Sequence, residues 1–352
     1  MSVESFIRAM PKVDIHVQLE GALSRQIVTM IAEQTDAIAR YKREKDYHQW
    51  LDLYENLNYS RLDEIAREVA SWVSHPEDIA RGVYDLGVQY SKQNVKYLEV
   101  LVIPAIYTDL DLTFQDVINA LAEGADKARR GWDVRINWIL AMPRERPRKS
   151  DDIARWATGA SAEKNNVVGL GLVGVEDAQP IAQFRKAFTT AERKGLARLS
   201  HAYSSEDAEE FDKVLDVVSP TRLHDVWALL DDEAALRQVT EREIPIVVTP
   251  TREVRLGRID AVAQYPIQQM LDAGVKVLIA SGMPTLYGTT IADEYIALVQ
   301  ECGLSIEQIE NLALDSVRYS LLDQADKTAM LDDFREQYAT LKTEHLAEEQ
   351  SE

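Results

Sequence analysis

The stretch 11-PKVDIHVQLEG-21 reads as a buried strand running into a turn. Residues two apart on a strand share a face, so His16 and Gln18 point the same way. A histidine pair at that spacing could hold a metal ion. Here the second member is an amide, a poor zinc ligand beside imidazole, thiolate or carboxylate. The pattern is that of a metal site with one ligand lost.

Outward from this strand, short β-rich segments alternate with amphipathic helical ones. Strands are predicted at Val13–Gln18, Val95–Val102, Val134–Leu140, Val167–Leu172, Ala197–His201, Thr221–Val226, Ile244–Val248 and Val275–Ser281. Helical patterns such as Thr113–Lys127, Phe184–Lys194 and Glu206–Val217 lie between them. Eight parallel strands with crossover helices imply a (β/α)8 TIM barrel. The chain is read as one barrel domain over 1–352, with no repeat and no linker. The first crossover is a helical insertion, 25–92, expected to cap the barrel mouth. The C-terminal segment reads as helices, with a frayed tail over 340–352.

Active sites of such barrels lie at the C-terminal strand ends. The residues there are His16, Gln18, Glu20, Glu99, Gly174, Glu176, His201, Ser204, His224, Asp225, Gly282 and Met283.

Composition narrows the partners. The hydrophobic fraction is 46%, enough for a full core in 352 residues. The one cysteine, Cys302, excludes an internal disulfide and a cysteine-based zinc site. It suits a reducing compartment, so a cytoplasmic location is expected. The N-terminal MSVESFIRAMPK has no signal-peptide apolar core, and no apolar run approaches the ~20 residues of a membrane span. A net charge of −20 argues against a nucleic-acid partner.

Several further segments carry a family resemblance from about Met10 to Phe334. They are VVGLGLVGVE at 167–176, His201-Ala202, IPIVVTPTREVRLG at 244–257 and YPIQQMLDAGVKVLIASGMPTLYGTTIADEY at 265–295. Together with PKVDIHVQLEGAL they resemble the adenosine deaminase family of metal-dependent hydrolases. That resemblance implies the barrel fold and a purine or nucleoside-like ligand. It also implies a zinc held by two histidines of the first strand, one of the fifth and an aspartate of the eighth. A glutamate and a histidine then work with the metal-bound water.

Carried across position by position, the set is damaged. His16 and His201 stand where the first and third ligands stand, as residual metal candidates. Gln18 replaces the second ligand and Gly282 the aspartate. Ser204 replaces the proton-shuttling glutamate, Asp225 the catalytic histidine and Met283 the second aspartate. The expectation is therefore no zinc cofactor. Two imidazoles alone hold such an ion weakly. His224 supplies a third nitrogen only if the sixth strand shifts by one place.

Gly174 matches the glycine whose backbone touches the purine, and Glu20 sits where the family contacts sugar or base. Otherwise Gly174 serves a turn and Glu20 caps a helix. His16 and His201 complete the expected ligand-binding set, or are hydrogen-bonded barrel-mouth residues. Arg252-Glu253 reads as an ion pair. Arg144 and Arg146 are an anion docking point or part of a solvated loop. Thr290 reads as a helix cap.

The leading expectation is a pseudoenzyme, a non-catalytic ligand binder or interaction protein built on a deaminase barrel. One alternative is an enzyme with altered acid–base or weak-metal hydrolase chemistry, using Asp225, His16, His201 and Glu176. Another is a still-active divergent adenosine or adenine deaminase.

Overall fold

A computed structural model describes residues 2–34, 61–73, 75–202, 208–224 and 226–346. Its strands are β1 (Lys12–Gln18), β2 (Val95–Val102), β3 (Arg135–Pro143), β4 (Val167–Val173), β5 (Ala197–His201), β6 (Arg222–His224), β7 (Ile246–Val248) and β8 (Val277–Ile279). They form one eight-stranded sheet in sequence order, each parallel to the next. The predicted (β/α)8 barrel is the observed fold. β6, β7 and β8 are shorter than the apolar runs that announced them. Flanking residues extend the pairing by single backbone hydrogen bonds, the Leu223 amide to the Pro245 carbonyl, the Ile246 amide to Lys276 and the Ala280 amide to Val248.

Closure is made by backbone just past β8. The Gln18 amide donates to the Gly282 carbonyl at 2.8 Å, and the Gly282 amide donates to the His16 carbonyl at 3.0 Å. Gly282 has φ +65°, a left-handed conformation that glycine adopts without strain. Beside this rung, the Ser281 hydroxyl donates to Asp14 at 2.5 Å. Burial pushes the Asp14 carboxyl up to about 7.

β1 carries one extra residue against β2 between Asp14 and Val17. Such a bulge re-aims the side chains beyond it. Asp14 is thereby tied to Tyr90 and Ser281, while His16 and Gln18 border a common small cavity.

Glu99 is not at the mouth. It is fully buried and paired with Arg222, the first residue of β6, at 2.5 Å. It also accepts from the Tyr97 hydroxyl at 3.1 Å and the Leu321 amide. This polar knot, whose Arg222 Nε has no hydrogen-bond partner among the described residues, lies towards the start of the strands, away from the site.

The helices begin where side chains can cap them. Thr113 and Asp116 form a capping box on Phe114–Trp132, and Ser305 and Gln308 another on Ile306–Arg318. Thr290 accepts from the Asp293 amide at 3.1 Å, the cap read from sequence. Within the insertion, helices Arg25–Gln34, Leu62–Trp72 and Pro76–Ser91 are described, and 35–60 lie outside the described residues. The last helix runs unbroken from Gln324 to Leu346, so 340–346 are helical rather than frayed. Phe334 and Tyr338 bury its inner face, and the Tyr338 hydroxyl donates to the Pro11 carbonyl. Among the described residues no helix is long and apolar enough to cross a membrane.

Candidate functional site

At the C-terminal strand ends lies a cavity of about 740 Å³. Gln18, Gly174, Glu176, His201 and Met283 line it, as their strand-end positions predict. Helix Leu62–Trp72 and the residue before it overhang the opening through Arg61, Glu64 and Arg67.

Beneath lies a recess of only about 20 Å³, bordered by His16, Gln18, His201, Thr249, Gly282, Met283 and Tyr287. This is where the resemblance places metal and reacting water. Met283 is seated here because Gly21 has no side chain. A Cβ on Gly21 would come within 2.4 Å of the Met283 Cβ and Cγ. Tyr287 fills the other flank, with its ring 3.0 Å from where a Cβ on Gly282 would stand.

Three imidazoles gather at the floor. The His16 and His224 ring centroids are 3.7 Å apart at an interplanar angle of 30°. His201 lies 5.7 Å from His16 and 5.6 Å from His224. β6 thus turns His224 inwards, the arrangement that the one-place shift would require. His224 is buried, and among the described residues neither ring nitrogen has a hydrogen-bond partner. Burial, then the neighbouring His16, hold its pKa well below the usual imidazole value, so it is neutral.

This floor does not fit zinc. The His16 and His224 rings lie tilted against each other with centroids only 3.7 Å apart, which leaves no room for an ion between them. Gln18 offers only a neutral amide, and Gly282 offers no side-chain donor atom. Among the described residues no three His, Cys, Asp or Glu are placed to hold a metal ion. Ser204 and Asp225, two of the altered catalytic positions, lie outside the described residues.

Glu20 is placed differently from expectation. It is buried and is not among the residues lining the cavity. Its Oε1 accepts from the Ile103 amide at 3.1 Å, fastening the end of β2 to the first strand–helix turn. It caps no helix. Burial pushes its carboxyl up to about 7. Its ligand is the protein.

Gly174 does border the cavity, but its open side is taken. Its φ is +107°, and a Cβ there would strike the Glu145 carboxylate at 2.5–2.8 Å. Glu145 accepts from the Val175 amide at 2.9 Å. Sequence reading passed over Glu145 in favour of its neighbours Arg144 and Arg146. Neither serves as an anion dock. Arg144 is buried, bound to Glu210 and to the Gln179 carbonyl, and Arg146 is bound to Asp109. The alternation R-E-R was the available signal: two fastened arginines leave the middle side chain facing the mouth.

Arg252 and Glu253 form the expected ion pair, at 2.6 Å, and Arg258 joins it at 2.9 Å. Glu253 is buried beneath, so two guanidiniums that line the cavity rest on one carboxylate.

Comparison with known proteins shows the family and the fold. Residues 11–337 match the family model described as adenosine deaminase. The chain is 25% identical to an adenine deaminase of Hahella chejuensis, over 94% of this chain and 97% of that protein. It is equally identical to an aminodeoxyfutalosine deaminase of Streptomyces coelicolor, over 94% and 85%. Among solved structures, an adenine deaminase from Arthrobacter aurescens superposes with a TM-score of 0.83 at 22% identity, covering 93% of this chain and 99% of that one. A Burkholderia ambifaria amidohydrolase solved with bound zinc gives 0.86 at 20% identity, over 97% and 95%.

Proposed function

This chain belongs to the adenosine deaminase family, and we propose that it acts there as a metal-free binder of a purine or nucleoside-like small molecule rather than as a hydrolase. One observation carries this reading: the cavity above the floor is kept at about 740 Å³, while the reacting end is reduced to about 20 Å³. A volume of several hundred Å³ with mixed polar and apolar walls suits a heterocycle. A recess of about 20 Å³ admits a single water, whereas a hydrolase must place both metal and water there.

The residues that remain are those of a binding site. Gln18 is neutral, Met283 is apolar, and His224 is held neutral. Arg252 and Arg258 supply positive charge without a metal.

Three measurements on the full chain test the reading. Elemental analysis after purification without chelator is expected to find no stoichiometric zinc. Ammonia release from adenosine and adenine is expected to stay at background. Calorimetry with adenosine, inosine and guanosine is expected to give saturable heat with at least one. Turnover at an ordinary enzyme rate, abolished by His201→Ala, would overturn it.

The names of the relatives favour a second reading, a deaminase with an unusual ligand set, since those proteins are called adenine and aminodeoxyfutalosine deaminases. The ammonia assay separates the two.

A further inference from the structure

We infer that the cavity takes a purine or nucleoside-like ligand that carries an anionic group, a phosphate or a carboxylate, and that Arg258, backed by Arg252, holds that group. The inference rests on the binding reading above and deepens it.

The two arginines are built onto one carboxylate. Helix Pro250–Arg255 follows β7 and carries Arg252 and Glu253. The chain then turns back, and the Arg258 amide donates to the Glu253 carbonyl at 3.0 Å. Glu253 is buried, and each of its oxygens takes one guanidinium, Oε1 from Arg252 and Oε2 from Arg258. Two positive charges on one negative leave this wall with a positive charge to spare.

Arg258 is the arm that can reach a ligand. Its side chain is 27% exposed and lines the cavity. Only its Nη1 is engaged, and among the described residues its other side-chain N–H groups have no acceptor. A guanidinium only donates, through a planar fork that matches the oxygens of a phosphate or carboxylate. Arg252 borders both the cavity and the recess beneath, so its charge extends along the same wall towards the floor.

The carboxylates that line the cavity stand elsewhere. Glu64 and Glu68 belong to the overhanging helix, where Glu64 is paired with Arg61. Glu145 follows β3 and faces Arg67 at 3.8 Å, and Glu176 follows β4. In an eight-stranded barrel the ends of β3 and β7 lie across the mouth from each other. The cavity is therefore dipolar, and an anion is drawn to the β7 wall. A neutral nucleoside displaces water from Arg258 and leaves its charge uncompensated, whereas an anionic one compensates it.

Calorimetry with the base held fixed tests it, using inosine, inosine 5′-monophosphate and the 5′-carboxylate of inosine on the wild type and Arg258→Gln. At least one of the two acids is expected to bind the wild type roughly tenfold or more tighter than inosine, and the tighter one names the group. In Arg258→Gln an amide can still donate to Glu253, while the charge and the fork are lost. The ratio between acid and inosine is then expected to fall towards one. Ribose 5-phosphate, which lacks the base, is expected to bind roughly tenfold or more weaker than the nucleotide. Inosine as tight as both acids, a preference that survives Arg258→Gln, or ribose 5-phosphate matching the nucleotide would overturn the inference alone. No heat with any of the purine-bearing probes overturns it together with the binding reading. The wild-type ranking decides the matter even if the variant fails to fold.

Discussion

Met283 lies directly on Gly21, so the floor of the cavity depends on the absence of a side chain at the end of the first strand–turn unit. Glycine inside a helical turn costs about 0.5–1 kcal/mol relative to alanine. Overpacking a tight contact costs about 1–3 kcal/mol. The second effect is the larger. Gly21→Ala is expected to destabilise the chain by about 1–2 kcal/mol. Met283→Ala in the same molecule is expected to recover part of that loss. A double-mutant cycle by urea denaturation reads the coupling, and strictly additive losses would contradict the contact.

Restoring the missing ligands is not expected to restore the ion. In Gln18→His/Gly282→Asp, the new aspartate must adopt φ +65° with its Cβ about 3.0 Å from the Tyr287 ring. His16 also remains packed against His224. Zinc is expected to leave the melting temperature of the double variant unchanged. A site binding at 100-fold below the zinc concentration would add about 2.7 kcal/mol, a rise easily seen.

Burial gives two groups opposite effects on stability with pH. Glu294 is fully buried, accepting from the Thr289 hydroxyl at 2.8 Å and the Thr251 amide at 3.2 Å, and its carboxyl is pushed from 4.5 up to about 7. Between those values the native state holds a proton that the unfolded chain releases. Its contribution is therefore full below about 4.5 and lost as pH rises through 7. Lys12 is lowered from 10.5 to about 7 by burial. Between those values the unfolded chain holds the extra proton, so stability from this group rises with pH. Denaturation at pH 5, 7 and 9 is expected to show Glu294→Gln flattening the acid limb and Lys12→Met the alkaline limb. An unchanged slope in either variant contradicts that assignment.

The Arg222–Glu99 pair is expected to matter more for its integrity than for its charge. Removing one partner from a buried pair costs about 3–5 kcal/mol, because the other is left uncompensated. Arg222→Met should therefore unfold at markedly lower urea concentration. Arg222→Met/Glu99→Leu should recover much of the loss, and a double variant no better than the single would show that the pair contributes net attraction.

Strand order and mouth position were legible because apolar runs and strand ends recur at regular intervals along the chain. Gly174, His201 and Met283 lie at the cavity for that reason. Side-chain direction was less legible. The bulge in β1 falls between Asp14 and Val17 and was invisible in a regular alternation of apolar and polar residues. Glu20 sits one turn past a strand end, as a ligand contact would, yet it binds the Ile103 amide. Glu145 lies in a charged loop, where spacing says nothing about which side chain turns inwards. Glu99 sits in mid-strand, and only its pairing with Arg222 reveals its depth.

The rung between Val17 and Gly282 joins the two ends of the polypeptide's strand series. On a ribosome, the edge of β1 stays open until nearly all of the chain has emerged. Loop-closure entropy must be met before this last pairing rewards it. Until then the barrel exposes two unpaired strand edges, the template on which chains associate wrongly. A chain cut short before Ser281 would keep both edges open, so truncation is expected to yield aggregates rather than a smaller soluble barrel.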